Sequence, residues 1–103
     1  IGPLGKLLKP IGDLDFEDAI NIFKKTIKIG VQNGVDIIAI ETMSDTYELK
    51  AAILAAKEVC DLPIIATVAF SDDKRLLNGA DVKTVVSILE GLRVDALGMK
   101  IQS

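Results

Sequence analysis

The fold of this chain is decided by the stretch Val35-Asp36-Ile37-Ile38-Ala39-Ile40-Glu41-Thr42-Met43-Ser44-Asp45, in which a short apolar run ends abruptly at a carboxylate. Four of the six residues from Val35 to Ile40 are β-branched. A run of this kind and length is typical of a strand buried on both faces of a parallel sheet. Glu41 is therefore predicted to lie where the strand emerges at its C-terminal edge, which is the edge that carries the chemistry in α/β folds.

A helix is predicted before this strand, from Phe16 to about Asn33. Asp15 can serve as its N-cap, two acidic residues follow in its first turn, and Gly34 supplies the stop. The apolar residues that recur at helical spacing form a single stripe, which consists of Phe16, Ala19, Ile20, Phe23, Ile27 and Val31.

A second helix is predicted after the strand, from about Thr46 to Val59, with Ser44 or Asp45 as its N-cap. Its buried face is expected to hold Leu49, Ala52, Ile53 and Ala56. Its solvated residues are expected to be Glu48, Lys50, Lys57 and Glu58.

The rest of the chain repeats this pattern. A second buried strand is predicted from Ile64 to Phe70, a third helix is capped by Asp81, and a third strand runs from Val94 to Met99. Strands thus begin about every thirty residues, which is the parallel βαβ pattern with right-handed crossovers. The predicted class is α/β with the order α-β-α-β-α-β.

Three strands are too few to close a barrel. An eight-stranded barrel takes about 250 residues, whereas this chain has 103. A three-stranded sheet with helices on one face leaves an apolar face open, which favours association. Either the chain is therefore a piece of a larger barrel, cut at both ends, or copies of it pair through the open face. A small three-layer sheet with helices on both faces is the remaining, less favoured option.

Composition narrows the possible functions. The net charge is −3, and the basic residues are scattered rather than clustered, so neither nucleic acid nor an anionic membrane is an expected partner. The absence of histidine removes the commonest general base and metal ligand. Cys60 is the single cysteine and cannot form an internal disulfide, so a reducing, cytoplasmic setting is expected.

Glu41 is the strongest candidate for a functional residue. At the C-terminal end of a strand it can hold a substrate ammonium or act as a base. A solvated carboxylate near Ser44 is an equally good interpretation of the same residues. Cys60 is predicted to be structural, because the C-terminus of a helix disfavours a thiolate.

Two further candidates have weaker support. Ser71, Asp72 and Asp73 follow a strand and could ligate a hard cation, but a solvated loop is the commoner case. Lys100 ends the third strand, where a lysine can form a Schiff base or bind an anion. A flexible lysine near the end of the chain is the favoured interpretation.

Several motifs span nearly the whole chain: Ile1-Gly-Pro-Leu-Gly-Lys-Leu-Leu-Lys-Pro-Ile-Gly12, Asp15-Phe16-Glu17-Asp18, Glu41-Thr42-Met43-Ser44-Asp45, Glu48-Leu49-Lys50-Ala51-Ala52 and Val94-Asp95-Ala96-Leu97-Gly98. Together they resemble the homocysteine-binding domain of homocysteine S-methyltransferases. The resemblance implies that residues 1–103 are a partial homocysteine-binding (β/α)8 barrel domain, truncated at both ends, in which Glu41 contacts the amino group of homocysteine. It also implies zinc held by three cysteine thiolates, where the homocysteine thiol accepts a methyl group from a donor such as methylcobalamin.

The chain departs from the family at the metal site. Lys100 and Ile101 stand where the family has an asparagine and the first zinc cysteine, and the other two cysteines lie further downstream in the family. Cys60 aligns with no zinc ligand, and Leu4 replaces a usual threonine. The chain is therefore expected to lack catalytic and metal-binding residues and to be inactive alone. The alternatives are a non-catalytic, self-associating half-barrel and a different small α/β enzyme that uses Lys100 or the loop acids.

Overall fold

The computed structural model describes residues 1–5, 8–9, 12–71, 73, 75–76 and 79–101, with residues 100 and 101 described by their backbone alone. Helices and strands alternate in the order α1 (Phe16–Gln32), β1 (Ile38–Met43), α2 (Thr46–Val59), β2 (Ile64–Phe70), α3 (Val82–Gly91) and β3 (Ala96–Ile101). The strands form one parallel sheet in the order β1-β2-β3. The predicted α/β class is confirmed, and the arrangement is consistent with a segment of a (β/α)8 barrel.

The core lies between one face of this sheet and the helices. The buried strand residues alternate along β1 and β2 and belong to the same cluster as the buried residues of the helices: Ile38, Ile40, Ile64, Ala66 and Val68. The residues between them, such as Ala39, Ile65 and Thr67, are only half-buried. Within the described part of the chain, the opposite face of the sheet is therefore open, as predicted for a three-stranded segment.

The helix boundaries agree with the predicted capping signals. Asp45, rather than Ser44, is the N-cap of α2, and its carboxylate accepts a hydrogen bond from the Tyr47 amide at 2.9 Å. Asp15 occupies the N-cap position of α1 but makes no capping hydrogen bond, and it pairs instead with Lys9 at 2.9 Å on the surface.

None of the helices in the described residues has the length and hydropathy that a membrane-spanning helix requires.

The predicted bounds of the first and third strands were wrong, because each observed strand begins two or three residues later. Pairing with β2 explains the shift at β1. The amide of Ile38 donates to the carbonyl of Pro63 at 2.9 Å. Strand β2 begins only at Ile64, so among the described residues no strand pairs with the residues before Ile38. At β3, both the amide and the carboxylate of Asp95 are bonded to the backbone of Ile64, at 2.8 and 2.7 Å.

Candidate functional site

Glu41 lies within β1, beside a β-bulge that shifts the alternation of side chains between the two faces by one residue. Between Ile40 and Met43 the chain of β1 advances three residues while the paired chain of β2 advances two. Thr42 has a φ of 59°, a left-handed conformation that is a genuine outlier for a β-branched residue. The extra residue returns Met43 to the core, where it is fully buried, while Glu41 stays exposed on the open face of the sheet.

A cleft of about 410 Å³ opens at this point, lined by Glu41, Thr42, Thr67, Gly98 and Met99. Thr67 and Gly98 are in register on adjacent strands, and a Cβ at position 98 would lie 3.4 Å from Cγ2 of Thr67. A side chain at this position would therefore just contact the threonine. The lining of the cleft includes one carboxylate and two hydroxyl-bearing residues, and its volume is in the range of small-molecule sites, about 300–1,000 Å³.

The beginning of the chain runs beside the free edge of β1. The amino group of Ile1 donates to the carbonyl of Ala39 at 2.7 Å, and the carbonyl of Ile1 accepts from the Glu41 amide at 2.7 Å. Three residues later, the Leu4 amide donates to Oε1 of Glu48 at 2.7 Å. The backbone of Glu41 is thus fixed on the side away from β2.

Glu48 is only 5% exposed, so the prediction that it is solvated was wrong. The cause is tertiary: the first residues of the chain fold over the start of α2 and bond to the carboxylate. Asp45 is also buried, and its Oδ2 has no hydrogen-bond partner among the described residues. Burial raises the pKa of Glu48 above its ordinary value; the Leu4 amide works against this rise, and the charge of Asp45 adds to it.

Glu48→Gln is expected to make the folded chain more stable near neutral pH than the parent chain. The raised pKa means that the folded state favours protonated Glu48, so the contribution of this residue to stability is full below about pH 4.3 and is lost as the pH rises through the raised pKa. Glutamine keeps an acceptor for the Leu4 amide and carries no charge. Urea unfolding of both chains between pH 4 and 7 measures the effect, with the difference growing as the pH rises.

The matched control for this change is Glu90→Gln, which removes a charge from the exposed side of α3. A stability difference for Glu48→Gln that is independent of pH, or equal to that of Glu90→Gln, would contradict the assignment of Glu48 as the buried titrating group.

The other predicted candidates lie apart from the cleft. Cys60 is half-buried at the C-cap of α2, where its thiol donates to the carbonyl of Ala56 at 3.5 Å. Asp73 accepts hydrogen bonds from the Ser71 hydroxyl and the Arg75 amide, so it orders its own loop. Asp72 and the side chain of Lys100 lie outside the described residues.

The described residues do not fit the thiolate-bound zinc that the family resemblance implies. They contain no group of three or more His, Cys, Asp or Glu residues that could hold a metal ion. The chain has no histidine and a single cysteine, and Cys60 lines a different cleft, together with Ile64 and Asp95 at the N-terminal ends of β2 and β3.

Sequence reasoning named Glu41 as a site residue but missed the other four residues that line the cleft, Thr42, Thr67, Gly98 and Met99. A signal for the bulge is present in the apolar spacing, because Ile38 and Ile40 are two residues apart whereas Met43 follows after three. A strict alternation would place Met43 on the same face as Glu41. Thr67, which accepts the hydrogen bond from the Thr42 amide, lies 25 residues away on another strand. No local sequence pattern reveals that contact.

Comparison with known proteins agrees with the resemblance seen in the sequence. The family model described as homocysteine S-methyltransferase matches residues 1–101. The methionine synthase of Mycobacterium tuberculosis is 25% identical over 104 residues, covering 96% of this chain and 9% of that protein. The methionine synthase of Mycobacterium leprae is 23% identical over 104 residues, covering 96% of this chain and 8% of that protein. The chain thus spans less than a tenth of the length of these relatives.

Proposed function

Because the chain belongs to the homocysteine S-methyltransferase family, we propose that the cleft at Glu41 binds the amino-acid end of homocysteine. The observation that carries the proposal is the exposed carboxylate of Glu41 in a cleft shared with Thr67 and Gly98. Homocysteine carries an ammonium group, and a carboxylate binds an ammonium through charge-assisted hydrogen bonds. Glu41 is the only carboxylate among the residues that line the described cleft.

The proposal assigns this chain a part of the family's activity. In the family, the thiol of homocysteine is the methyl acceptor, zinc activates the thiol, and a donor such as methylcobalamin supplies the methyl group. The described residues offer no fitting set of zinc ligands, so the chain is assigned the amino-acid pocket and no step at sulfur. On this proposal it is a fragment or relative of a methionine synthase type of enzyme and does not transfer methyl groups alone.

Calorimetric titration of the purified chain with homocysteine, with and without zinc, tests the proposed function. We expect weak binding that does not depend on zinc. The matched control ligand is 4-mercaptobutyrate, which keeps the thiol and the carboxylate but lacks the ammonium group, and its binding should be lost. Equal binding of both ligands would contradict an ammonium site at Glu41. Binding that requires zinc would contradict the proposal that this chain does not activate the thiol of homocysteine.

A second candidate function, self-association, is favoured by the open face of the sheet. Half-buried Ala39 and Ile65 lie on that face, and the exposed Ala96 of the edge strand is in register with Ile65. Parallel strands are usually covered on both faces, so a second copy of the chain is the proposed cover. Light scattering over a range of concentrations should show a dimer that dissociates on dilution. A monomer at every concentration would exclude this candidate.

A further inference from the structure

The bulge in β1 directly follows Glu41 and fixes the backbone on that side of it. Up to Glu41, core and open-face residues alternate regularly, with Ile38 and Ile40 in the core, Ala39 half-buried and Glu41 facing the cleft. The extra residue after Glu41 then returns Met43 to the core. Without the extra residue, Glu41 and Met43 would lie on the same face of the strand.

The bulge depends on an unfavourable backbone conformation. A φ of 59° at Thr42 is disfavoured for a β-branched residue and persists only where its surroundings hold it in place. The Thr42 amide donates to Oγ1 of Thr67 at 3.0 Å, whereas the Glu41 amide donates to the carbonyl of Ile1 on the other edge. The amides of Glu41 and Thr42 are therefore bonded on opposite sides of β1, one to the beginning of the chain and the other to β2.

We propose that Thr67 is a positioning residue for Glu41, acting through the Thr42 amide. Oγ1 of Thr67 accepts the hydrogen bond that the bulge removes from the regular ladder, and so it holds Thr42 in its left-handed conformation. This inference rests on the proposed homocysteine site and explains how the backbone next to the carboxylate of that site is held in place.

The test compares Thr67→Val, which keeps the shape but removes the acceptor, with Thr67→Ser, which keeps the acceptor. Amide hydrogen exchange measured by NMR reports on the Thr42 hydrogen bond without any ligand. Thr67→Val should speed exchange of the Thr42 amide and weaken homocysteine binding by about twofold to tenfold, the range for one neutral hydrogen bond. Thr67→Ser should stay close to the parent chain in both measurements.

The double variant Thr42→Gly with Thr67→Val separates positioning from direct contact with the ligand. Glycine adopts a positive φ without strain, so the double variant should regain homocysteine affinity even if Thr67→Val alone fails to fold. A folded double variant that still binds poorly would mean that Thr67 touches the ligand itself, which overturns the positioning role.

The two proposals fail in different ways. If the parent chain does not bind homocysteine, the proposed function is wrong, and exchange of the Thr42 amide still decides whether Thr67 holds the bulge. If Thr67→Val leaves both the exchange rate and the affinity unchanged, Thr67 has no positioning role, whatever the ligand.

Discussion

Glu41→Gln is expected to weaken homocysteine binding about tenfold or more. Glutamine keeps the size of the side chain but loses the charge that binds an ammonium, and hydrogen bonds to charged groups contribute about 1.5–3 kcal/mol. Glu41 is exposed, so water screens the interaction and the effect should fall near the lower end of that range. Calorimetric titration with homocysteine measures the change.

The matched control for Glu41→Gln is Asp36→Asn. Asp36 is an exposed carboxylate just before the N-terminal end of β1, whereas the cleft lies towards the C-terminal end of that strand. Its replacement removes the same charge from the chain. Affinity should be unchanged in this variant. An equal loss of affinity in both variants would mean that overall charge, rather than a contact at Glu41, attracts the ligand.

Phe23→Ala is expected to cause the largest loss of stability, about 3–5 kcal/mol, as is usual when a large buried aromatic side chain is removed. Phe23 is 1% exposed and is one of the largest fully buried side chains of the core. The free energy of unfolding of an ordinary domain is about 5–15 kcal/mol. Because one face of its sheet is open, this chain is expected to lie towards the lower end of that range. A substantial unfolded fraction should therefore be present in this variant at room temperature.

The control for the core variant is Ile29→Ala on the same helix, because Ile29 is 61% exposed. Its effect on the free energy of unfolding should stay within about 0.5 kcal/mol. Urea unfolding of the three chains measures both changes. Similar losses in Phe23→Ala and Ile29→Ala would contradict the assignment of the core to the face of α1 that carries Phe23.

The elements that could be predicted from sequence are those with local signals at both ends. The bounds of α2 follow from the cap at Asp45 and the turn that ends at Pro63, and β2 begins directly after that proline. Strands β1 and β3 were misplaced by two or three residues, because a strand begins where its neighbour offers a hydrogen-bond partner. Propensity alone also favours Val35 and Val94, which precede the observed strands.

The candidate site was predicted only in part. Glu41 could be identified because a carboxylate at the C-terminal end of an apolar strand is visible in the sequence. Glu48 is bonded to Leu4, which lies 44 positions earlier in the sequence, and Thr42 is bonded to Thr67, which lies 25 positions later. Long-range contacts of this kind follow from the folded arrangement rather than from local spacing.

The most direct test of the central claim is to follow the backbone amides of the chain by NMR during titration with homocysteine. The proposed site predicts shifts centred on Glu41, Thr42, Thr67 and Gly98, the residues that line the cleft together with Met99. The cleft at the other end of the sheet, which includes Cys60 and Asp95, should be unaffected. Shifts confined to that second cleft, or no shifts at all, would contradict a homocysteine pocket at Glu41.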